Sequence, residues 1–373
     1  MNFEWTEEQQ QSYRNAVLFA QKKLNKKIKN DPENFMRCWK LCAEYGIQSL
    51  LLPESEIDSL TVVTILEALS YGCEDTGFLF SICAHMFACM KPILLHGSEQ
   101  QQKKYIPMLV NGSSICANCM TEPGAGSDAF SLSTIAIQEG DYYVLNGSKS
   151  YSSNAPIADL FVLYATTNKK KGILGITAFI VDKNDSNVSC SKPYKKMGLE
   201  SSFMGDVFLD DCKVPVANRI GREGKGAQIF TESMEWERSC LFAIYLGSMQ
   251  RQLEECISYS KNRKQFGESI SKFDSVAHKI ADMKIRLEAS RLLLYKAVSR
   301  LGSEGALLDA AIAKLFVSEA AIQSSLDAIQ IHGAYGIMDE SGITQYLKDS
   351  IPAKIFSGTS EIQRKIIAQE LKL

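Results

Sequence analysis

The spacing of apolar residues divides the chain into a helical region, a β region and a second helical region. In the first region apolar side chains recur every three or four residues, as they do on one face of an amphipathic helix. Thr6 is followed by two glutamates and predicts a helix start, because acids favour the positive end of the helix dipole. Further helices are predicted over residues 35–45, 60–71 and 78–95.

From residue 116 to about 220 the pattern changes to short segments rich in β-branched and aromatic residues. Segments of this kind, separated by turn residues, are typical of the strands of a β domain. Asn146-Gly147 is a predicted turn, and Asn111-Gly112 closes the preceding helical region. The predicted strands cover residues 142–145, 160–165, 177–181 and 206–209.

The helical period returns at Gly226 and continues to the end of the chain. Helices as long as those predicted over residues 229–261, 278–301 and 305–332 favour a four-helix bundle with extensive packing between subunits. The predicted fold class is therefore α+β with three domains. They are an N-terminal helical domain (1–115), a middle β-barrel-like domain (116–222) and a C-terminal four-helix bundle (223–373).

Charge and cysteine content exclude several classes of protein. The formal net charge is −2 and no basic stripe is visible, which argues against binding to nucleic acid. Residues 1–8 are acidic and polar and resemble no secretory signal; together with eleven cysteines they favour a reduced, cytoplasmic setting. We see no apolar run of the ~18 residues that a membrane-spanning helix needs, so no membrane association is expected.

Cys116 and Cys119 form a C-x-x-C pair. A redox or metal role would need a helix start or a second pair of ligands, and the sequence shows neither. The four histidines share no motif spacing. We therefore expect two small residues in a buried strand, and no metal site.

Residues 119–128 read Cys-Met-Thr-Glu-Pro-Gly-Ala-Gly-Ser-Asp and carry the first candidate chemistry. Gly124 and Gly126 let a backbone approach a ligand closely. The hydroxyls of Thr121 and Ser127 can bond polar atoms of a ligand. A ten-residue segment of this composition within the predicted β region indicates a ligand-binding loop.

This loop resembles the most specific signature of the acyl-CoA dehydrogenase family, and the resemblance extends from about residue 5 to residue 370. It implies FAD as the cofactor. By resemblance, Met120 and Thr121 contact the flavin ring, Gly126 lies at the cofactor, and Ser127 contacts either the cofactor or the thioester substrate.

Residues 146–154 resemble the family's second flavin motif. In that motif an aromatic residue covers one face of the isoalloxazine ring, and a hydroxyl two positions later donates to flavin N5. The family usually has tryptophan and threonine there. This chain has Tyr151 and Ser153, which keep the type of chemical group and make the aromatic plate smaller.

The loop 262–267 and the segment 330–336 resemble cofactor segments that reach the FAD of a neighbouring subunit. Arg263 suits a pyrophosphate, because a guanidinium makes bidentate charge-assisted bonds. The site would then span subunits, which implies a homo-oligomer and favours a homotetramer. The further implied cofactor contacts are Arg263, Gln265, Phe266, Ile270, Phe273, Gln330, Gly333, Ala334, Thr359 and Glu361.

The family's dehydrogenation needs a base for the α-proton, while flavin N5 takes the β-hydrogen. Many members carry a glutamate where this chain has Ser357, and a serine hydroxyl cannot act as that base. The N–H of Ser357 can still stabilise the developing charge on the substrate carbonyl oxygen. Glu237-Arg238 matches the relocated base of isovaleryl-CoA and long-chain acyl-CoA dehydrogenases, so we predict that Glu237 is the base. A carboxylate in an apolar site would have the raised pKa that suits this role.

Two alternatives to this assignment remain. Glu237 could be a solvated helix acid paired with Arg238 or Lys225. Glu235 is a second candidate base, although two positions along a helix bring it to roughly the opposite side.

Bulky residues are predicted to shorten the acyl pocket. Leu241, Ile244 and Tyr245 follow Glu237 on the same helix face, where relatives tend to have small residues. Their alternative role is packing against another helix. Phe356 fills the position at which isovaleryl-CoA dehydrogenase opens room for a branched substrate. The predicted substrate contacts are Ser127, Arg238, Leu241, Tyr245 and Phe356.

A relocated base with a small pocket favours a short or cyclic acyl thioester. This combination resembles a specialised branch of the family that oxidises prolyl groups tethered to a peptidyl-carrier protein in secondary metabolism. By that resemblance the preferred substrate is L-proline on such a carrier, and the first alternative is a short-chain acyl-CoA. Electrons would pass to oxygen or to an electron-transfer flavoprotein. A third hypothesis, of another class, is a flavin-binding relative without catalysis.

Overall fold

The computed structural model describes residues 5–24, 28, 31–184 and 187–373, and it confirms the order of helical, β and helical regions. The acidic start at residues 1–4 lies outside the described residues. Thr6 begins the first helix: its hydroxyl accepts the Gln9 N–H at 3.2 Å, and its own N–H donates to the Gln9 side chain at 3.1 Å. The helices of this region are α1 (Glu7–Lys23), α2 (Pro32–Tyr45), α3 (Ser59–Gly72), α4 (Thr76–Cys83), α5 (Lys91–His96) and α6 (Glu99–Val110).

A π-helical segment, Ala84–Met90, joins α4 and α5 into one apolar helix, Thr76–His96. This helix is long and apolar enough to cross a membrane, so the expectation that no apolar run reaches that length is wrong. Yet 83% of its most apolar window is buried inside the protein. The apolar side chains of this helix therefore form part of the protein core.

The middle region is one eight-stranded sheet, and the predicted strands lie within β3, β4, β5 and β7. The strand order is β6-β7-β3-β2-β4-β5-β8, with β1 parallel to β4 beside this path. The strands are β1 (Cys116–Cys119), β2 (Ile135–Glu139), β3 (Tyr142–Ser153), β4 (Leu160–Thr166), β5 (Ile176–Asp182), β6 (Val188–Cys190), β7 (Met204–Pro215) and β8 (Arg219–Ile220).

The predicted turn at Asn146-Gly147 is wrong, because β3 runs through both residues. The pairing of β3 with β7 instead shifts register there, as in a β-bulge. Asn146 and Asp211 of β7 bond each other reciprocally at 2.9 Å. A side chain at 147 would approach Thr134 Oγ1 within 2.6 Å, so glycine serves close packing rather than a turn.

Strand β4 is buried on both faces along its whole length. Leu160, Val162 and Tyr164 join the core formed with the helices. Phe161 and Leu163 alternate with them and belong to a second core on the other face of the sheet. The two cores therefore share this strand.

The C-terminal region is helical, as predicted, but the predicted helix over 229–261 is two helices. Leu241 and Phe242 separate them, with backbone angles that remain helical. A short hairpin, β9 (Lys264–Gln265) with β10 (Glu268–Ser269), follows the second. The helices are α7 (Gly226–Cys240), α8 (Ala243–Asn262), α9 (Asp274–Ser299), α10 (Ala306–His332), α11 (Ile343–Ser350) and α12 (Ser360–Glu370).

A buried carboxylate on α11 joins the C-terminal helices to the loop before β7. Asp349 Oδ1 accepts the Leu199 N–H at 2.6 Å and the Gln345 side-chain amide at 2.9 Å. Burial raises the pKa of Asp349 to about 7, the two hydrogen bonds oppose the rise, and the nearby Asp75 and Glu200 carboxylates add to it. The hydrogen bonds that Asp349 accepts from Leu199 and Gln345 therefore depend on the protonation state of its carboxyl group.

Candidate active site

Helix α7 and the loop before α12 bring together three of the predicted site residues. The Ser357 hydroxyl donates a hydrogen bond to Glu237 Oε1. Arg238 Nε donates to the carbonyl oxygen of Ser357 at 2.8 Å. The structure thus places the predicted base beside the residue that occupies the family's usual base position.

Glu237 is buried, so the alternative of a solvated helix acid is wrong. Burial raises the pKa of Glu237, while the hydrogen bond from Ser357 and the charge of Arg238 oppose that rise. Burial also lowers the pKa of Arg238 to about 10, against the opposing effect of Glu237 and Glu235. The fallback base, Glu235, lies on another side of α7 and accepts the Gly302 N–H at 3.2 Å.

Ser357 has a left-handed backbone conformation, with φ of +54°, and Gly358 follows with φ of +90°. The Gln363 side-chain amide donates to the carbonyl oxygens of Ser357 and Gly358 at 3.1 and 2.9 Å, which stabilises this conformation. Within the described residues the Ser357 N–H makes no hydrogen bond. It is therefore available as the predicted oxyanion donor.

Aromatic rings line the region next to this loop. The Phe356 ring lies 4.7 Å from Phe80 and 5.4 Å from Phe242, measured between centroids. Tyr245 is buried, and its hydroxyl donates to the Asp349 carbonyl oxygen at 3.0 Å. Tyr245 thus packs against α11, and Leu241 and Ile244 are buried in the helical core.

The first flavin motif begins at the end of β1, where Met120 is buried. The Thr121 carbonyl oxygen accepts the Ser150 N–H at 2.8 Å, which ties this loop to β3. A Cβ added at Gly124 or Gly126 would meet nothing within 4 Å. The surface over these glycines is therefore open to a ligand.

A buried ion pair that the sequence reasoning missed supports this loop. Lys149 of β3 lies 2.8 Å from Glu122 and also donates to the Met120 carbonyl oxygen at 3.2 Å. Burial would raise the pKa of Glu122, but Lys149 and hydrogen bonds from Ser133 and Thr134 lower it to about 2. Because the two partners lie 27 residues apart, no sequence motif indicated the ion pair.

Tyr151 projects from the end of β3 and is 65% exposed. Its φ of +55° and the irregular pairing between Lys149 and Ser152 turn it out of the regular strand. Its ring lies 5.9 Å from that of Tyr194, a second aromatic residue that the motifs did not indicate. Ser153 remains in the strand and pairs with Met204.

The two segments predicted to reach a neighbouring subunit's cofactor line one groove of about 570 Å³. Arg263, Gln265 and Ile270 line it from one segment, and Gly333 and Ala334 from the other. A Cβ at Gly333 would meet nothing within 4 Å, which leaves room for a ligand.

The remaining predicted cofactor residues lie outside the lining of that groove. The Phe266 ring is 95% exposed and lies 6.0 Å from Phe273. Gln330 is exposed near the end of α10. The Thr359 hydroxyl caps α12 by accepting the Ile362 N–H at 3.3 Å, and Glu361 is exposed in the first turn.

Cys116 and Cys119 are buried in β1 as free thiols, as the expectation of a buried strand requires. Among the described residues no group of three or more histidine, cysteine or acidic side chains could hold a metal ion.

The chain also matches known proteins over most of its length. The chain matches the acyl-CoA dehydrogenase N-terminal, middle and C-terminal domains over residues 6–113, 117–212 and 224–372. An L-prolyl-(peptidyl-carrier protein) dehydrogenase of Pseudomonas fluorescens is 44% identical over 344 residues, which cover 90% of each chain.

Two solved structures extend the similarity to the whole fold. The prolyl acyl carrier protein oxidase AnaB has a TM-score of 0.96 at 43% identity, with 99% of this chain and 100% of that chain covered. PigA with FAD and proline has a TM-score of 0.96 at 38% identity, with 100% of both chains covered. Because models of all three domains of the acyl-CoA dehydrogenase family together match most of the chain, the chain belongs to that family.

Proposed function

We propose that this protein is an FAD-dependent dehydrogenase that introduces Cα–Cβ unsaturation into an L-prolyl thioester on a peptidyl-carrier protein. The observation that carries the proposal is the buried Glu237 carboxylate in contact with Ser357. The Pseudomonas relative is named for this substrate, and AnaB is named as a prolyl acyl carrier protein oxidase.

Glu237 takes the α-proton of the prolyl thioester. Its burial raises its pKa, and a carboxylate with a raised pKa is the stronger base. As the proton leaves, negative charge develops on the thioester carbonyl oxygen, where the N–H of Ser357 can bind it. Arg238 fixes the loop that carries this N–H through its bond to the Ser357 carbonyl oxygen.

The residues present fit FAD as the cofactor. When bound, FAD accepts the β-hydrogen together with its electron pair. The open surface over Gly124 and Gly126 would admit the flavin, and the exposed Tyr151 is free to cover one ring face. Arg263 in the groove with Gly333 would bind a pyrophosphate.

The aromatic wall supports a small acyl group. Phe356, Phe80 and Phe242 pack together beside the loop that holds Ser357. Three bulky rings at this point favour a short or cyclic acyl group over a long flexible chain.

We further propose a cytoplasmic homotetramer in which the groove at Arg263 receives the FAD of a neighbouring subunit. Exposed apolar side chains on the long helices, Ile285 and Leu292 of α9 and Leu326 of α10, support packing between subunits. The described cysteines are free thiols, which agrees with a reducing compartment. The acceptor is either oxygen or an electron-transfer flavoprotein.

The test is anaerobic bleaching of the bound flavin by a panel of acyl-CoAs and by an L-prolyl-loaded carrier protein. We expect fast bleaching by the prolyl carrier protein and slow bleaching by the acyl-CoAs. Fast bleaching by short acyl-CoAs alone would replace the proposal with a short-chain acyl-CoA dehydrogenase. Bleaching by none of them would favour the flavin-binding protein without catalysis.

A further inference from the structure

The loop between β4 and β5 and the turn before α7 carry five exposed cations. This basic patch consists of Lys169, Lys170, Lys171, Arg222 and Lys225. In the part of the chain that the structure describes, none of the five side chains forms an ion pair or side-chain hydrogen bond. No carboxylate of the described residues therefore forms an ion pair with these five cations.

Two large apolar side chains lie among these cations. Ile173 is 48% and Leu174 is 68% exposed. They belong to the same loop as the three lysines. Apolar side chains within a charged rim are the usual composition of a protein-binding surface.

The loop and the turn are in direct contact, so the patch is one surface. The Gly224 N–H donates to Thr177 Oγ1 at 3.0 Å. A Cβ at Gly224 would lie 2.5 Å from the Leu174 carbonyl oxygen, which shows how closely the two backbones approach. A cleft of about 330 Å³ adjoins the turn and is lined in part by Arg222 and Lys225.

Helix α7 connects this patch to the base. Glu237 lies eleven residues after Gly226, or ~17 Å along the helix axis. Phe230, Met234 and Glu237 are spaced by four and three residues and so share one helix face. The Phe230 ring is 6.1 Å from Phe130, in the loop that also carries the predicted thioester contact Ser127.

We propose that the basic patch is the docking surface for the peptidyl-carrier protein. This inference rests on the proposed function. A carrier-bound prolyl group hangs on an extended phosphopantetheine arm whose outer end is an anionic phosphodiester. With the thioester at Glu237 and the arm along α7, the phosphodiester reaches Arg222 and Lys225. Carboxylates around the modified serine of the carrier then face the three lysines, and its apolar side chains contact Ile173 and Leu174.

The charge reversal Lys170→Glu with Lys171→Glu tests the surface. Both side chains are exposed and form no ion pair or side-chain hydrogen bond in the described residues, so flavin content and thermal stability should be unchanged. The control is Lys22→Glu with Lys23→Glu on α1, which changes the formal charge equally. Each protein is assayed with an L-prolyl-loaded carrier protein and with L-prolyl pantetheine thioester, which has the arm but no carrier.

We expect kcat/KM for the carrier substrate to fall about tenfold or more in the patch variant, because charge complementarity governs association rates. Its salt dependence should also flatten, since the screened attraction is gone. The patch variant should turn over L-prolyl pantetheine thioester at the wild-type rate. The control variant should match the wild type with both substrates.

An equal loss with both substrates, or a carrier activity no lower than that of the control, would overturn the docking surface while leaving the proposed function intact. A wild-type protein that turns over neither substrate would overturn the proposed function and the docking surface together.

Discussion

At the scale of single residues, the contact between Glu237 and Ser357 joins positions that lie 120 residues apart. On the proposed function, the two residues share the role that a single glutamate at position 357 would have. Glu237 would supply the carboxylate and Ser357 the backbone N–H, while the Ser357 hydroxyl stabilises the ionised carboxylate.

Glu237→Gln should lower kcat with the prolyl substrate by about 10²- to 10⁴-fold, the usual contribution of a general base. The amide can still accept the Ser357 hydrogen bond, so the loop and the bound flavin should be unaffected. Stopped-flow reduction of the flavin measures the loss. Glu235→Gln is the matched control, because that carboxylate bonds Gly302 instead; a larger loss in the control would transfer the base role to Glu235.

Ser357→Ala should move the acidic limb of the kcat/KM profile to higher pH. Glu237 must be ionised to take a proton, and the Ser357 hydroxyl lowers its pKa by bonding the carboxylate. Without that bond the pKa rises, and activity is lost at a higher pH. Ser360→Ala, whose buried hydroxyl has no partner in the described residues, should leave the profile unchanged. An unshifted limb in Ser357→Ala would show that Glu237 does not control it.

The sequence could predict Glu237 and Ser357 because a motif lacking its usual glutamate directed attention to a second carboxylate. It could not predict Tyr194, which belongs to no motif and reaches Tyr151 only through the fold. Neither could it show that the Tyr245 hydroxyl bonds the Asp349 carbonyl oxygen, a contact between helices 104 residues apart.

At the scale of elements, the Glu122–Lys149 pair fastens the flavin loop to β3. Lys149→Met should lower the free energy of unfolding by about 3–5 kcal/mol, because it leaves a buried carboxylate without its partner. The double variant Glu122→Gln with Lys149→Met removes both charges and should be less destabilised than Lys149→Met alone. Urea unfolding of the flavin-free proteins measures both. Equal destabilisation would mean that packing, rather than charge, dominates the pair.

Helix and strand positions were predictable from periodicity, but their interruptions were not. Asn146-Gly147 has the composition of a turn, but β3 continues through it because Asn146 pairs with β2 and Gly147 with β7. The separation of α7 from α8 at Leu241 and Phe242 occurs without glycine or proline, the residues that mark a helix end in sequence.

At the scale of the whole molecule, Asp349 couples the loop before β7 to the C-terminal helices through Leu199. Its pKa is raised from 3.8 to about 7, so the protonated form is favoured by folding. The stability that it contributes is complete below pH 3.8 and is lost as pH rises to about 7. The free energy of unfolding should therefore fall less steeply with pH in Asp349→Asn than in the wild type.

Urea unfolding across that pH range measures the difference. Asp339→Asn is the control for the loss of one surface carboxylate, because its side chain is 90% exposed and lies 3.5 Å from Lys348 Nζ. A wild-type slope equal to that of Asp349→Asn would show that Asp349 is ionised in the folded protein throughout.

The order of the three regions was predictable because helical and strand periods differ along the chain. The expectation that no apolar run reaches membrane-spanning length failed because the buried helix Thr76–His96 has the same hydropathy as a membrane-spanning one. Only tertiary packing distinguishes the two cases.

Strand β4 has a consequence for how the protein can be divided. Its side chains alternate between two cores, so neither core is complete without it. Cutting the chain on either side of the sheet would expose an apolar face that the helices normally cover. The three sequence domains are therefore not interchangeable modules: a recombinant protein that takes its middle domain from a relative must also preserve the helical surface that covers β4.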